Sequence, residues 1–152
     1  MVISLILLQM QSSHGDDLAV LFQKAGISLL VGALVGLERE RAQEEHRMLF
    51  AGIRTFPLIA LFGFLAALLG GAISPWMLGV LSAGFMALVV ASYYLEARDG
   101  SHGATSEVAA MIVFVLGALI HAEYYAIAIA SSVVLTLFLS LKDPLQKVIA
   151  HV

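Results

Sequence analysis

The sequence predicts an all-α, polytopic membrane protein with five transmembrane helices, and two observations carry this prediction. Hydrophobic residues make up 61% of the 152 residues and charged residues only 12%, whereas soluble domains have about 45–50% and about 25%. The few charges are clustered, which leaves long apolar stretches between them. Stretches of about 20 such residues are typical of helices that cross a bilayer.

Composition and motifs exclude several classes of function. The net charge is −3, and without a basic stripe there is no reason to expect a nucleic-acid partner. The absence of cysteine excludes disulfides, thiolate metal sites and thiol catalysis. The sequence also lacks the G-x-S-x-G, H-E-x-x-H and phosphate-loop motifs of common enzyme classes. We therefore expect the chain not to be an enzyme.

The five spans follow from hydropathy and from local start and stop signals. They cover residues 18–37, 52–71, 74–95, 105–120 and 124–141. The cap of the first is expected at Gly15-Asp16-Asp17, and Ser74-Pro75-Trp76 opens the third. Asp143-Pro144 is expected to end the fifth, since a residue before proline avoids the helical region. The chain then divides into an N-terminal segment (1–16), a membrane domain (17–141) and a short tail (142–152).

The basic residues predict the orientation of these spans. One side of the membrane holds seven of the eight lysines and arginines, namely Arg39, Arg41, Arg47, Arg54, Arg98, Lys142 and Lys147. The positive-inside rule places this side in the cytoplasm. The N-terminus is therefore predicted outside and the C-terminus inside.

The eighth basic residue, Lys24, lies within the first span. Its side chain either extends to the outer surface or faces a polar cavity or a carboxylate of another span. Further along the same span, Gly32 and Gly36 form a G-x-x-x-G pattern, which predicts close packing against another helix. Outside the membrane, His121-Ala122-Glu123 could bind a metal weakly, or these could be ordinary loop residues.

The densest charge lies between the first two spans. Glu38, Arg39, Glu40 and Arg41 follow the first span, while Gly52, Arg54 and Thr55 open the second. Two helix ends held together here would form a compact polar site, and we expect an ion pair of Arg54 with Glu38 or Glu40. Because each glutamate adjoins an arginine, the cluster favours an anion site or an ion-pair network over a bare cation site.

Glu107 is the third element of the expected site, because it stands at the start of the fourth span. A carboxylate in the first turn of a helix complements the helix dipole, which is one explanation. The other is that Glu107 joins Glu38 and Arg54, with or without Arg39, in one shared site.

These residues lie in three motifs, G-A-L-V-G-L-E-R-E-R (32–41), A-G-I-R-T (51–55) and G-A-T-S-E-V-A-A (103–110). In their sequence, order and spacing the chain resembles the MgtC/SapB family of small bacterial inner-membrane proteins. The resemblance implies a five-span protein linked to magnesium homeostasis, with Glu38, Arg39, Arg54, Thr55 and Glu107 as functional positions.

Two function classes follow from the resemblance. One is a transporter in magnesium-linked or phosphate-linked ion homeostasis, with an ion site formed by Glu38, Arg54 and Glu107. Mg²⁺ is the cofactor that the resemblance suggests. The other is a regulatory module that binds another membrane protein, such as an ATP synthase or a phosphate transporter. Both imply a protein surrounded by lipid, and we expect a homo-oligomer, most simply a dimer.

Overall fold

The structure, a computed structural model, describes residues 2–43, 52–98 and 105–149, and within them the side chains of 17–41, 52–95, 98 and 105–141. The described residues form five α-helices: α1 (Val2–Gln43), α2 (Thr55–Ala72), α3 (Pro75–Arg98), α4 (Thr105–His121) and α5 (Tyr125–Ile149). The predicted all-α class is confirmed. Five side chains lie outside the described ones. They are those of the histidines His46 and His102 and of the basic residues Arg47, Lys142 and Lys147, which were used to predict the orientation.

Three helical segments in the described ranges are long and apolar enough to cross a membrane. They are Asp17–Arg41, Thr55–Ala72 and Pro75–Leu95, and two shorter apolar helices, Thr105–His121 and Tyr125–Leu141, accompany them. Helix α4 has 17 residues, which is the lower limit for a span.

Two helices continue past their predicted ends. The helix α1 is unbroken from Val2, so Gly15-Asp16-Asp17 does not start it, and α5 continues through Asp143-Pro144 to Ile149. A glycine inside a helix costs only about 1 kcal/mol and a proline about 3 kcal/mol. Leucines, which favour helix, lie on both sides of Asp143-Pro144, and at both positions the helical backbone bonds on either side outweigh these local costs. The two predicted boundaries are wrong.

Helices α1, α2 and α4 form the centre of the bundle, with α3 against α2 and α5 against α1 and α4. Helix α1 runs antiparallel to α2, because Gly32 lies at Phe56 and Gly36 at Ile53. We call the end of the bundle that holds the C-terminus of α1 and the N-termini of α2 and α4 the Arg39 end. The opposite end is the Lys24 end.

The interior is closed by direct contact between backbones. A Cβ atom added at Gly63 of α2 would overlap the carbonyl of Phe114, and one added at Gly117 of α4 would overlap that of Ala60. Next to this crossing, the rings of Phe85 and Phe114 stack at 4.8 Å. Membrane helices associate through such close van der Waals packing, since apolar side chains gain little by leaving lipid.

Helix α3 shows how the bundle meets its surroundings. Trp76 near its start is 83% exposed and Tyr94 near its end is 58% exposed. The two residues are 18 positions apart, which is a rise of about 27 Å. This matches a hydrocarbon layer of about 30 Å. Arg98 donates a hydrogen bond to the Tyr94 hydroxyl at 2.8 Å. Aromatic residues at both ends of an apolar helix are typical of membrane interfaces.

Candidate functional site

The junction of α1 and α2 lies at the Arg39 end. The Gly52 carbonyl accepts hydrogen bonds from the N–H groups of Thr55 and Phe56, at 3.0 and 3.2 Å, which starts α2. The Glu40 carboxylate accepts a hydrogen bond from the backbone N–H of Ile53 at 3.4 Å. Glu40 therefore links the end of α1 to the residues that precede α2.

Gly32 and Gly36 hold the same two helices together. A Cβ atom added at Gly32 would lie 2.5 Å from the Phe56 carbonyl oxygen, and one added at Gly36 would lie 2.9 Å from Cα of Ile53. Both distances are shorter than atoms can approach. The two glycines thus let α1 bring its charged end against the start of α2.

The structure separates the charged candidates into buried and exposed groups. Arg39 is 6% exposed and Glu107 is 3% exposed. Glu38, Gly52 and Thr55 are half-buried, and Glu40, Arg41 and Arg54 are exposed. Only two of the predicted candidates at this end therefore lie inside the protein.

The expected ion pair of Arg54 is not present: among the described side chains, neither Glu38 nor Glu40 lies within salt-bridge distance of Arg54. Arg54 occupies the N-cap position of α2 without a side-chain capping bond. Its exposed guanidinium is solvated and needs no carboxylate, while Glu40 turns instead to the Ile53 N–H.

Helical periodicity explains why Arg39 is buried beside exposed neighbours. Val31, Val35 and Arg39 follow each other at intervals of four and are all buried, so Arg39 continues the stripe that faces the bundle. Glu107 begins a similar stripe on α4, followed by the buried Ala110. This spacing was visible in the sequence, but it does not tell which stripe faces inward.

Glu107 lies in the first turn of α4. Both of its carboxylate oxygens are buried, and neither has a hydrogen-bond partner among the residues that the structure describes. The helix dipole favours a negative charge here. Within those same residues no group of three or more His, Cys, Asp or Glu side chains is arranged to bind a metal ion, so the structure itself assigns no magnesium site.

A second polar cluster lies at the Lys24 end. Lys24 Nζ donates to Glu123 Oε1 at 2.8 Å and lies 3.5 Å from the His121 carbonyl oxygen. The side chain of Lys24 thus extends to the end of the bundle and meets a carboxylate there, which combines the two alternatives from the sequence. The pKa of the Glu123 carboxyl is lowered, mainly because Lys24 donates this hydrogen bond and also because of its charge.

Sequence reasoning missed the Lys24–Glu123 pair and the Gly63–Gly117 crossing. The two members of the pair lie 99 residues apart, so no local pattern connects them. Gly63 and Gly117 gave only a weak sequence signal of helix packing. Each stands among apolar residues, and neither forms G-x-x-x-G with another glycine. The alanines Ala122, Ala126 and Ala130, which recur every fourth residue, are exposed.

These features define a class: an all-helical protein of the membrane type, with apolar helices and with polar clusters at the two ends of the bundle. The chain belongs to the MgtC family, whose sequence profile matches residues 26–148, and the resemblance found in the sequence is confirmed. Family membership links the chain to magnesium homeostasis. No curated protein and no solved structure shows a significant match.

Proposed function

We propose that the chain acts in magnesium-linked or phosphate-linked ion homeostasis at the bacterial inner membrane, with Arg39 and Glu107 as its ion-responsive site. The observation that carries this proposal is the burial of the Glu107 carboxylate, 3% exposed, without a hydrogen-bond partner in the described ranges. Burying a carboxylate is costly unless the charge is compensated. An ionisable group inside a membrane bundle is therefore a functional candidate.

The two buried groups offer different chemistry to an ion. The Glu107 carboxylate supplies oxygen ligands, which Mg²⁺ prefers while keeping most of its water. The Arg39 guanidinium supplies donors in the planar geometry that suits phosphate. One charge of each sign at the same end of the bundle is compatible with either ion, so magnesium and phosphate have to be tested separately.

The decisive experiment measures ion flux into liposomes that contain only the purified protein. A transporter should move Mg²⁺ or phosphate, and Glu107→Gln or Arg39→Gln should lower the flux or apparent affinity about tenfold or more, since a hydrogen bond to a charged group contributes about 1.5–3 kcal/mol. Arg41→Gln is the matched control, because Arg41 stands two residues from Arg39 but is exposed. Equal effects of Arg39→Gln and Arg41→Gln would argue against the site.

The second candidate, a regulatory module that binds another membrane protein, is favoured by the surface of α3. Little of the apolar part of α3 is buried within the chain, and Leu88 and Val90 on this helix are 58% and 64% exposed. Lipid covers such a face in a monomer, and a partner covers it in an assembly. A protein that supports growth at low magnesium through Glu107, but moves no ion in liposomes, would have this function.

Photo-crosslinking in the membrane distinguishes the partner from lipid. A photo-reactive residue at Leu88 should capture a discrete protein under low magnesium, and one at Phe22 of α1, which is 71% exposed, is the control position. Capture at both positions alike would indicate random collision in the membrane.

A further inference from the structure

The loop between α4 and α5 caps the C-terminus of α4 with backbone hydrogen bonds. Glu123 occupies the position in this cap where glycine is usual. The N–H of Tyr124 donates to the Leu119 carbonyl at 3.0 Å and that of Glu123 to the Ile120 carbonyl at 3.1 Å, which is the Schellman pattern. Glu123 has a φ of 70°, in the left-handed region where glycine is favoured. A strained residue of this kind is a reason to look for a role of its side chain.

The carboxylate of Glu123 is accessible, whereas its partner Lys24 is covered. The side chain of Glu123 is 69% exposed and that of Lys24 is 11% exposed. Only Oε1 of Glu123 is engaged by Lys24. A molecule that approaches this corner therefore meets a negative group first, with the positive charge behind it.

An open groove of about 650 Å³ adjoins this carboxylate. Its apolar walls come from three helices, with the residues Ala67, Gly71, Leu78, Val115 and Ala118. His121 and Glu123 form its polar rim. The volume lies within the range of about 300–1,000 Å³ that is typical of ligand sites, and apolar walls with a polar rim suit an amphipathic ligand.

We propose that this groove binds a phospholipid with an ethanolamine headgroup. One acyl chain lies along the apolar walls, and the ammonium of the headgroup lies on the exposed carboxylate of Glu123. Helix ends surround the groove and the Glu123 carboxylate, which places both at the level of lipid headgroups. Charge complementarity selects this lipid over phosphatidylglycerol, which has no cationic group to offer Glu123 and brings its phosphate towards a carboxylate.

This site is separate from the Arg39 end. Lys24 lies 15 residues before Arg39 along α1, a rise of about 22 Å. Lipid binding at the groove can therefore fail or succeed independently of any ion chemistry at Arg39 and Glu107.

Native mass spectrometry of the purified full chain tests the proposal, with dioleoyl phosphatidylethanolamine and dioleoyl phosphatidylglycerol offered in equal amounts. The wild type should retain the ethanolamine lipid with a severalfold preference. Glu123→Gln should bring that preference close to unity. Lys24→Gln frees the carboxylate from its protein partner and should maintain or raise the preference.

The acyl-chain part of the proposal has its own pair of variants. Gly71→Leu fills the groove, and Gly79→Leu on α3 adds the same side chain away from the groove lining; at neither glycine would a Cβ meet an atom within 4 Å. Gly71→Leu should lower retention of the ethanolamine lipid about tenfold, while Gly79→Leu should leave it unchanged. Circular dichroism confirms that each variant is folded.

Three results of these comparisons would overturn the proposal, and a fourth concerns Lys24. They are an equal retention of both lipids by the wild type, an unchanged preference in Glu123→Gln, and an equal loss in Gly71→Leu and Gly79→Leu. A fall in retention on Lys24→Gln would show that the lipid phosphate is held by Lys24, which contradicts the proposed contact with Glu123.

Discussion

At the scale of single residues, charged side chains of the same chemical type differ in whether they are buried or exposed. Arg39 is buried while Arg41 and Arg54 are exposed, and Glu107 is buried while Glu40 is exposed. An exposed charged group is solvated and its ion pairs contribute only about 0.2–1 kcal/mol, whereas a buried charge is costly unless the protein or a ligand compensates it. Substitutions of Arg39 and Glu107 are therefore expected to have the larger effects.

The absence of an Arg54 pair in the described region makes a quantitative prediction. In a double-mutant cycle of Glu38→Gln and Arg54→Gln, the two effects on the free energy of unfolding should add within about 0.3–0.5 kcal/mol. Thermal or denaturant unfolding in detergent measures the cycle. A coupling above 1 kcal/mol would mean that the two residues pair in solution, as the sequence alone had suggested.

Glu123 gives a prediction about pH. Lys24 lowers the pKa of the Glu123 carboxyl in the folded protein, so the pair stabilises the fold fully above the ordinary glutamate pKa of about 4.3. This stabilisation is lost as the pH falls through the lowered folded-state pKa. The difference in melting temperature between wild type and Glu123→Gln should stay constant down to about pH 5 and shrink only in stronger acid. A difference that does not change with pH would rule out the pair as its source.

At the scale of helices, close approach depends on glycine at particular positions of α1. Gly26 and Gly32 lie on the same helix, but an added Cβ meets nothing within 4 Å at Gly26 and lies 2.5 Å from the Phe56 oxygen at Gly32. The two positions share a helical backbone and differ in what packs against it. They therefore separate the effect of helix propensity from that of packing.

Gly26→Ala should raise the free energy of unfolding by up to about 1 kcal/mol, because alanine favours the helix. Gly32→Ala should lower it by about 1–3 kcal/mol, because α1 and α2 have to move apart, and Gly32→Leu or Gly36→Leu should be at least as damaging. Melting temperatures in one detergent measure all four. If Gly26→Ala and Gly32→Ala shift stability alike, the contact between α1 and α2 does not depend on Gly32.

At the scale of the whole molecule, the orientation in the membrane remains a prediction. The basic residues Arg39, Arg41, Arg54 and Arg98 lie at the Arg39 end or on the C-terminal turn of α3, so the Arg39 end should face the cytoplasm. A reporter fused after Leu141 should be cytoplasmic, and one inserted between Gly71 and Ser74 should be periplasmic. The reverse pattern, or two reporters on the same side, would contradict the predicted topology.

The sequence by itself determined the helices and the place of the charged cluster. Hydropathy and the polar residues that separate apolar stretches are local properties. They predicted five apolar helices, the start of α3 at Pro75 and the start of α4 at Thr105. Local cap and stop signals did not end a helix where the residues on both sides are helical. For that reason the expected cap at Gly15-Asp16-Asp17 and the expected stop at Asp143-Pro144 are wrong.

Only the tertiary structure decided which side chains lie inside and which meet each other. The inward face of a helix depends on its rotation against its neighbours, and this rotation buried Arg39 and Glu107 while it left Arg54 exposed. Lys24 meets Glu123 across 99 residues because α1 runs beside the far end of α4. Such contacts depend on packing between distant segments, for which a single sequence carries no local signal.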